Sequence, residues 1–345
     1  GYVKANGSVT LAGTVAAKYN GKHVMIKQQK DGHVSDMLLP IRDGKFSGSV
    51  PLHYGTGVHK MTVMVPDLTK DNYYVESAVF SADNTSSAKT EPIKYYRDYY
   101  EKQFTLDDPQ VGGLQADEKF HISGRYNPEV ANNRKVKELV VTTKKGDLEA
   151  SYLIPANNGT FDGEFWLRFG PGTYEVTLNV PTDPGAAQSY FHFTGLATFT
   201  VESRGKDKRN LLPSRGIQSN APAISELAEK LTAGKKGERA KAKAIYAYVA
   251  KTVKYDVKKQ ENNLFQLDDS ALKTLNSKTG VCQDYTFLTV ALLRSAGIEA
   301  RYIGGIGTPP GGVGERHAWV EAKIDGEWLV MDPTWGAGYV QNGKF

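Results

Sequence analysis

The chain has 345 residues, one cysteine and a formal net charge of only +5 at pH 7, and each of these numbers removes a class of explanation. A single cysteine rules out an internal disulfide framework and a cysteine-rich zinc site, and the small, dispersed charge, with no stacking or helical recognition motif beside it, argues against nucleic acid as a partner. With 40% apolar and 23% charged residues, no apolar run near the about 18 to 20 residues that cross a bilayer, and length for two or three cores, the sequence reads as a multidomain globular protein. Its opening at Gly1 without methionine fits a processed form whose export leader has been removed.

The first half repeats itself. The stretch from Gly44 to Pro66 aligns without a gap on Gly159 to Pro181, so that Gly44/Gly159, Phe46/Phe161, Gly48/Gly163, Leu52/Leu167, Gly55/Gly170, Gly57/Gly172, Thr62/Thr177 and Pro66/Pro181 coincide. Residues 1–90 and 91–204 are therefore expected to be two copies of one module. Each is a series of short alternating segments, such as Met61 to Val65 and Tyr174 to Leu178, separated by Gly, Pro, Asn and Asp turns. That pattern predicts two antiparallel β-sandwiches of immunoglobulin-like size, without the Cys and Trp markers of antibody domains, suited to a scaffold or to binding a cell-wall polymer or surface protein. The tyrosine-rich stretch Tyr95 to Tyr100 is read as packing between modules, and the charged segment Ser203 to Arg209 as a linker.

From residue 205 to 345 the periodicity becomes helical and then alternating again. Helices are predicted at Ile224 to Thr232, Glu238 to Val253 and Ser270 to Leu275. The segment Cys282 to Ala296 is apolar nearly all round and is stopped by Gly297, as expected for a helix buried at the centre of a domain. Strands follow at Glu299 to Ile306, His317 to Ile324 and Glu327 to Met331, which makes this third part α+β. The glycine-rich run Gly304 to Gly314 is broken by two prolines and opens no helix, so it reads as a mobile rim loop rather than a phosphate cradle.

The lone cysteine stands where the buried helix begins. Free backbone N–H groups and the helix dipole favour thiolate there, the form in which cysteine attacks. Asp325-Gly326 is a two-residue hairpin signal that pairs Ile324 with Glu327 and, counting outward, Trp319 with Asp332. His317 is then the diagonal neighbour of Asp332 on one face, about 7 to 8 Å away through the backbone and within side-chain reach. Pro333 keeps Asp332 extended. Counting alone thus predicts a His317–Asp332 hydrogen bond, and His317 is the one histidine after His192. Cys282 as nucleophile, His317 as base and Asp332 as the group orienting the imidazole form a complete acyl-transfer set. The Cys282 N–H is one oxyanion donor; Gln283 and Tyr255 are weaker candidates for the second, and Trp319 for a cleft wall or substrate contact.

Gly280-Val281-Cys282-Gln283-Asp284-Tyr285, Leu293 to Tyr302, His317-Ala318-Trp319-Val320, Asp325-Gly326-Glu327-Trp328 and Asp332-Pro333-Thr334-Trp335, in that order, resemble the core of the transglutaminase-like superfamily over about the last 120 residues. The resemblance implies a papain-like fold and a Cys–His–Asp triad at Cys282, His317 and Asp332, in a bacterial, secreted or cell-surface member. Thr286 stands where a small alanine is commoner. The family's calcium sites have no counterpart here, so neither a metal nor another cofactor is expected. The expected reaction is acyl transfer from a protein or peptide amide through a thioester, ending in hydrolysis or in cross-linking to an amine. The alternative is a non-catalytic adhesion or wall-binding protein that keeps the fold.

Overall fold

The computed structural model describes residues 1–70, 73–188, 190–308 and 312–338. Residues 1–203 are β-rich. The first seven strands are β1 (Tyr2–Ala5), β2 (Ser8–Thr14), β3 (His23–Lys30), β4 (His33–Pro40), β5 (Lys45–Pro51), β6 (Gly57–Pro66) and β7 (Tyr74–Asn84). They form a five-stranded sheet in the order β1-β7-β6-β3-β4 and a two-stranded sheet, β2-β5. Alternation explains the burial: along β3, Val24 and Ile26 go into a core with Leu39, Phe46, Val50 and Met61, while the residues between them face outward.

The second set comprises β8 (Lys94–Tyr95), the short helix α1 (Arg97–Glu101), β9 (Phe104–Asp108), β10 (Leu114–Ala116), β11 (Lys119–Tyr126), β12 (Glu138–Lys145), β13 (Leu148–Asn157), β14 (Thr160–Trp166), β15 (Gly172–Pro181) and β16 (Phe193–Ser203). Its strand order, β10-β16-β15-β12-β13 continuing through β14-β11-β9, contains the order of the first set, with β10 in the place of β1, β11 of β2 and β16 of β7, while β8 and β9 have no counterpart there. Two features depart from a purely antiparallel reading. In each set the opening strand runs parallel to the closing one, with Tyr2 opposite Ser81 and Leu114 opposite Val201. In the second set the ten-residue β13 bonds to β12 and, at its far end, to β14, so that it joins two sheets that stay separate in the first set.

Tyr95, Tyr99 and Tyr100 stack against one another, and Tyr100 meets His23 of the first set edge-on at 4.7 Å. The segment expected as a free linker is tied down, since Arg204, Gly205 and Lys208 donate backbone hydrogen bonds to the carbonyls of Ala116, Asp117 and Arg168.

The remainder holds α2 (Pro222–Thr232), α3 (Glu238–Thr252), β17 (Lys254–Tyr255), α4 (Val257–Glu261), α5 (Ala271–Ser277), β18 (Thr279–Gly280), α6 (Cys282–Ser295), β19 (Ala300–Gly307), β20 (Glu315–Ile324), β21 (Glu327–Met331) and α7 (Pro333–Ala337). Pro222 opens α2, where its missing N–H costs nothing. Helix α3 buries Ala242, Ile245 and Val249, one stripe at helical spacing. Helix α6 is enclosed on all sides, burying every residue from Asp284 to Arg294 except Phe287, and Gly297 ends it with a positive φ of 79°. The sheet β19-β20-β21 packs Ala300, Val320, Ala322 and Ile324 into the same core. Among the described residues no helix is long and apolar enough to cross a membrane.

Candidate active site

Cys282 is the first residue of α6 and is partly exposed, in contrast to the buried turns behind it. The preceding geometry fixes it there. The Val281 N–H donates to Asp284 Oδ2 at 2.8 Å, satisfying one of the orphan donors of the helix start. Cys282 and Gln283 have no helical carbonyl four residues back, so their N–H groups are left facing outward from the helix tip. Gly280 is required, because a Cβ there would overlap the Asp284 side chain. Thr286, the departure noted from sequence, returns its hydroxyl to the Cys282 carbonyl at 2.8 Å.

Asp284 is itself held. Lys259 Nζ, from α4, lies 2.8 Å from Asp284 Oδ2 and 2.8 Å from Asp269 Oδ2, with both carboxylates buried and the lysine partly so. Burial pushes the Asp284 carboxyl up while the Lys259 charge and hydrogen bond pull it back. Asp269 also accepts from the Gln266 N–H at 2.9 Å. One ammonium thus ties α4, the segment before α5 and the start of α6 together.

The hairpin forms in the counted register, with Ile324 opposite Glu327 and Val320 opposite Met331. Asp325 and Gly326 take the positive φ values that a two-residue turn of this kind needs. Strand β21 stops at Met331, and Asp332, still extended at φ −121°, becomes the N-cap of α7. Its Oδ1 accepts from the Trp335 N–H at 3.0 Å and its Oδ2 lies 2.6 Å from His317 Nε2. That hydrogen bond leaves Nδ1 as the nitrogen open to Cys282, whose charge acts on the same imidazole. Burial of the ring disfavours its charged form, but the bonds and charges of Asp332 and Cys282 outweigh this and raise His317 to about 9.

The aromatic surroundings are more elaborate than the sequence indicated. Trp335 stacks flat on His317 at 4.6 Å between ring centres, and Trp319 flanks it at 6.2 Å. Gly307 allows this closeness, since a Cβ there would press on both His317 and Trp335. Tyr255, paired with Gly280 across β17 and β18, lies in the field of Cys282; burial first, then the Cys282 and Glu315 charges, raise its phenol. Gln283 sits partly buried one residue beyond Cys282. Tyr302 of β19 was not singled out from sequence, yet burial and the Cys282 charge push it up to about 12. Lys259 and Asp269 were likewise missed, because nothing local marks them. The stretch expected as a rim loop from Gly304 is shorter, because Gly304 to Gly307 pair with β20 as the end of β19; the segment that remains leads into Glu315, two residues before His317, and its residues 309–311 lie outside the described residues. A cleft of about 730 Å³ lies elsewhere, between the two β-strand sets beside His23, Tyr99, Tyr100 and Arg125, so chemistry rather than volume marks this site.

Residues 225–333 match the model of the transglutaminase-like superfamily, and the match contains Cys282, His317 and Asp332. An uncharacterized Mycobacterium leprae protein is 40% identical over 72 residues, 19% of this chain and 25% of the relative. A UPF0252 protein of Methanocaldococcus jannaschii is 31% identical over 132 residues, 36% of each chain. The chain thus spans between a quarter and about a third of the length of these relatives. Among solved structures, a proposed cysteine protease from Cytophaga hutchinsonii is similar at 20% identity and a TM-score of 0.33, covering 65% of this chain and 69% of that one. The periplasmic domain of TgpA from Pseudomonas aeruginosa is similar at 13% identity and a TM-score of 0.29, covering 91% and 90%. Residues 225–333 are thus a transglutaminase-like domain, carried behind a large β-rich region.

Proposed function

We propose that the protein is a cysteine-nucleophile hydrolase of protein or peptide amides, with Cys282, His317 and Asp332 as its catalytic residues. The observation that carries this reading is the 2.6 Å bond from His317 Nε2 to Asp332 Oδ2, on an imidazole that also lies in the field of Cys282 at the tip of α6. With His317 raised to about 9, the imidazole is largely protonated at neutral pH and stabilises a thiolate beside it.

The Cys282 sulfur attacks the carbonyl carbon, forming a C–S bond. The charge that develops on oxygen is met by the Cys282 N–H and by a second donor, for which the Tyr255 phenol is favoured over Gln283 because it lies in the field of Cys282 and is held protonated. The imidazolium gives its proton to the departing nitrogen as the C–N bond breaks, releasing ammonia or an amine and leaving a thioester. Neutral His317 then takes a proton from water, which adds to the thioester; collapse returns the proton to the site and frees the carboxylic acid and Cys282. Asp332 keeps Nε2 as the protonated nitrogen throughout.

In this proposal residues 205–345 act as the enzyme, and residues 1–90 and 91–204 as two copies of one immunoglobulin-like sandwich module that place it at a wall polymer or surface protein outside the cytoplasm. The matched strand orders and the aligned Gly44–Pro66 and Gly159–Pro181 stretches support the repeat. Glutamine-containing and plain peptide amides, incubated with and without a primary amine and followed by mass spectrometry, test the reading. Hydrolysis predicts acid product and released ammonia or cleaved peptide, lost in Cys282→Ala; dominant amine adducts would replace hydrolysis with cross-linking, and no Cys282-dependent product would overturn both.

A further inference from the structure

Resting on the reading of Cys282 and His317 as the reacting pair, we propose that the β-rich region supplies part of the substrate cleft: the loop between β15 and β16 carries Tyr190, which with Tyr302 and Ile306 receives a bulky aromatic or aliphatic side chain next to the attacked amide. The loop is docked on the transglutaminase-like domain through Gln188, Tyr190 and Phe191. The Gln188 N–H donates to the Phe265 carbonyl at 2.9 Å, and the Phe265 ring lies 5.7 Å from Lys259 Nζ, the ammonium that holds Asp284 and the start of α6.

Two further contacts hold this loop against the strands β19 and β20. Arg316 Nη1 donates to the Tyr190 hydroxyl at 2.5 Å, and the guanidinium sits 5.8 Å from the centre of the same ring. Arg316 precedes His317 and pairs across the ladder with Ile306. On the other side Arg215 stacks 5.3 Å from Phe191 and interacts with the Tyr302 phenol, which lies in the field of Cys282. Arg316 and Ile306 point to the face of the sheet opposite to His317, as adjacent strand residues do, so the loop borders the site on the face that carries Tyr302.

The occupant follows from what this wall exposes. Tyr190 is 60% exposed and Ile306 69%, and Tyr302 is also open to solvent, so apolar surface is gathered where a substrate chain must pass. The guanidinium of Arg316 is committed to the Tyr190 hydroxyl and ring, and Arg215 to Phe191, which leaves aromatic faces rather than a bare cation as the recognition surface. A side chain that fills such a wall is worth about 10- to 200-fold in selectivity over alanine.

The test compares, on the full chain, kcat and KM for peptide amides that differ only in Phe, Ala or Glu beside the attacked amide. The expected result is a preference for Phe over Ala of about 10-fold or more, expressed mainly in KM, that falls to within about 2-fold in Tyr190→Ser and is retained in Tyr190→Phe. A preference for Glu, or a Phe preference untouched in Tyr190→Ser, overturns the inference. Calorimetric binding of the same peptides to Cys282→Ser protein separates the two proposals. Tyr190-dependent binding of the Phe peptide without any Cys282-dependent turnover would sink the hydrolase reading and keep the recognition wall, whereas turnover with no Tyr190 dependence would do the reverse.

Discussion

The two carboxylate oxygens of Asp332 are bound to different partners, Oδ2 to His317 Nε2 and Oδ1 to the Trp335 N–H that opens α7. Asp332→Asn can still cap the helix, but its amide NH₂ would donate where the imidazole must donate, forcing the proton onto Nδ1, which faces Cys282. Turnover is expected to fall by about 10⁴-fold with the circular dichroism spectrum preserved; a loss below 10-fold would show that Asp332 does not set the tautomer. His317 also makes stability depend on pH. Its folded value of about 9 lies above the ordinary 6.5, so its contribution is complete below pH 6.5 and disappears as pH rises through 9. Thermal melts should show the transglutaminase-like part losing stability over that window, and losing less in His317→Gln. At this scale the sequence was most informative where covalent counting applies: the Asp325-Gly326 turn sets the register, and the register brings His317 to Asp332. Tyr302 escaped it because only the packed sheet brings its ring into the field of Cys282.

Helix α6 depends on the elements around its first turn. Lys259 neutralises two buried carboxylates, and its removal in Lys259→Met would leave Asp269 and Asp284 facing each other without a counter-charge, at a cost of about 3 to 5 kcal/mol. Urea unfolding measures this directly; a change under 1 kcal/mol would mean that the carboxylates simply take up protons. Gly280→Ala presses on Asp284 and is expected to slow alkylation of Cys282 while leaving the β-strands intact. The pattern of α6 itself was plain in its unbroken apolar surface and its Gly297 stop, with an end shifted by one residue to Ser295. Helices of five residues such as α4 and α7 carry too few turns for a periodic signal, which is why the lysine anchoring the site went unread.

At the scale of the whole molecule, the buried apolar residues among the described ones fall into three separate clusters, centred on Ile26 and Met61, on Phe165 and Tyr174, and on Leu292 and Val320. Separate cores are expected to melt separately. Leu292→Ala, which opens a cavity worth about 2 to 5 kcal/mol in the third, should lower one calorimetric transition and leave another in place. A single transition that moves as a whole would show instead that the contacts at Phe265 and Arg316 couple the β-rich region to the rest. The proposed repeat was read from Gly, Pro and alternating apolar positions that recur at fixed intervals. The parallel pairing of each opening strand, the sheet-joining β13 and the docking of Gln188, Tyr190 and Phe191 are long-range outcomes that no local pattern encodes.

The account stands on an activated sulfur at Cys282, and its reaction rate with iodoacetamide as a function of pH measures that property without any substrate. An ordinary thiol of pKa about 8.5 is less than about 1% ionised at pH 6. The account predicts ready alkylation of native Cys282 at pH 6, slowed at least about 10-fold in His317→Ala. A rate that climbs as an ordinary thiol would, along the same curve in wild type and His317→Ala, would contradict it.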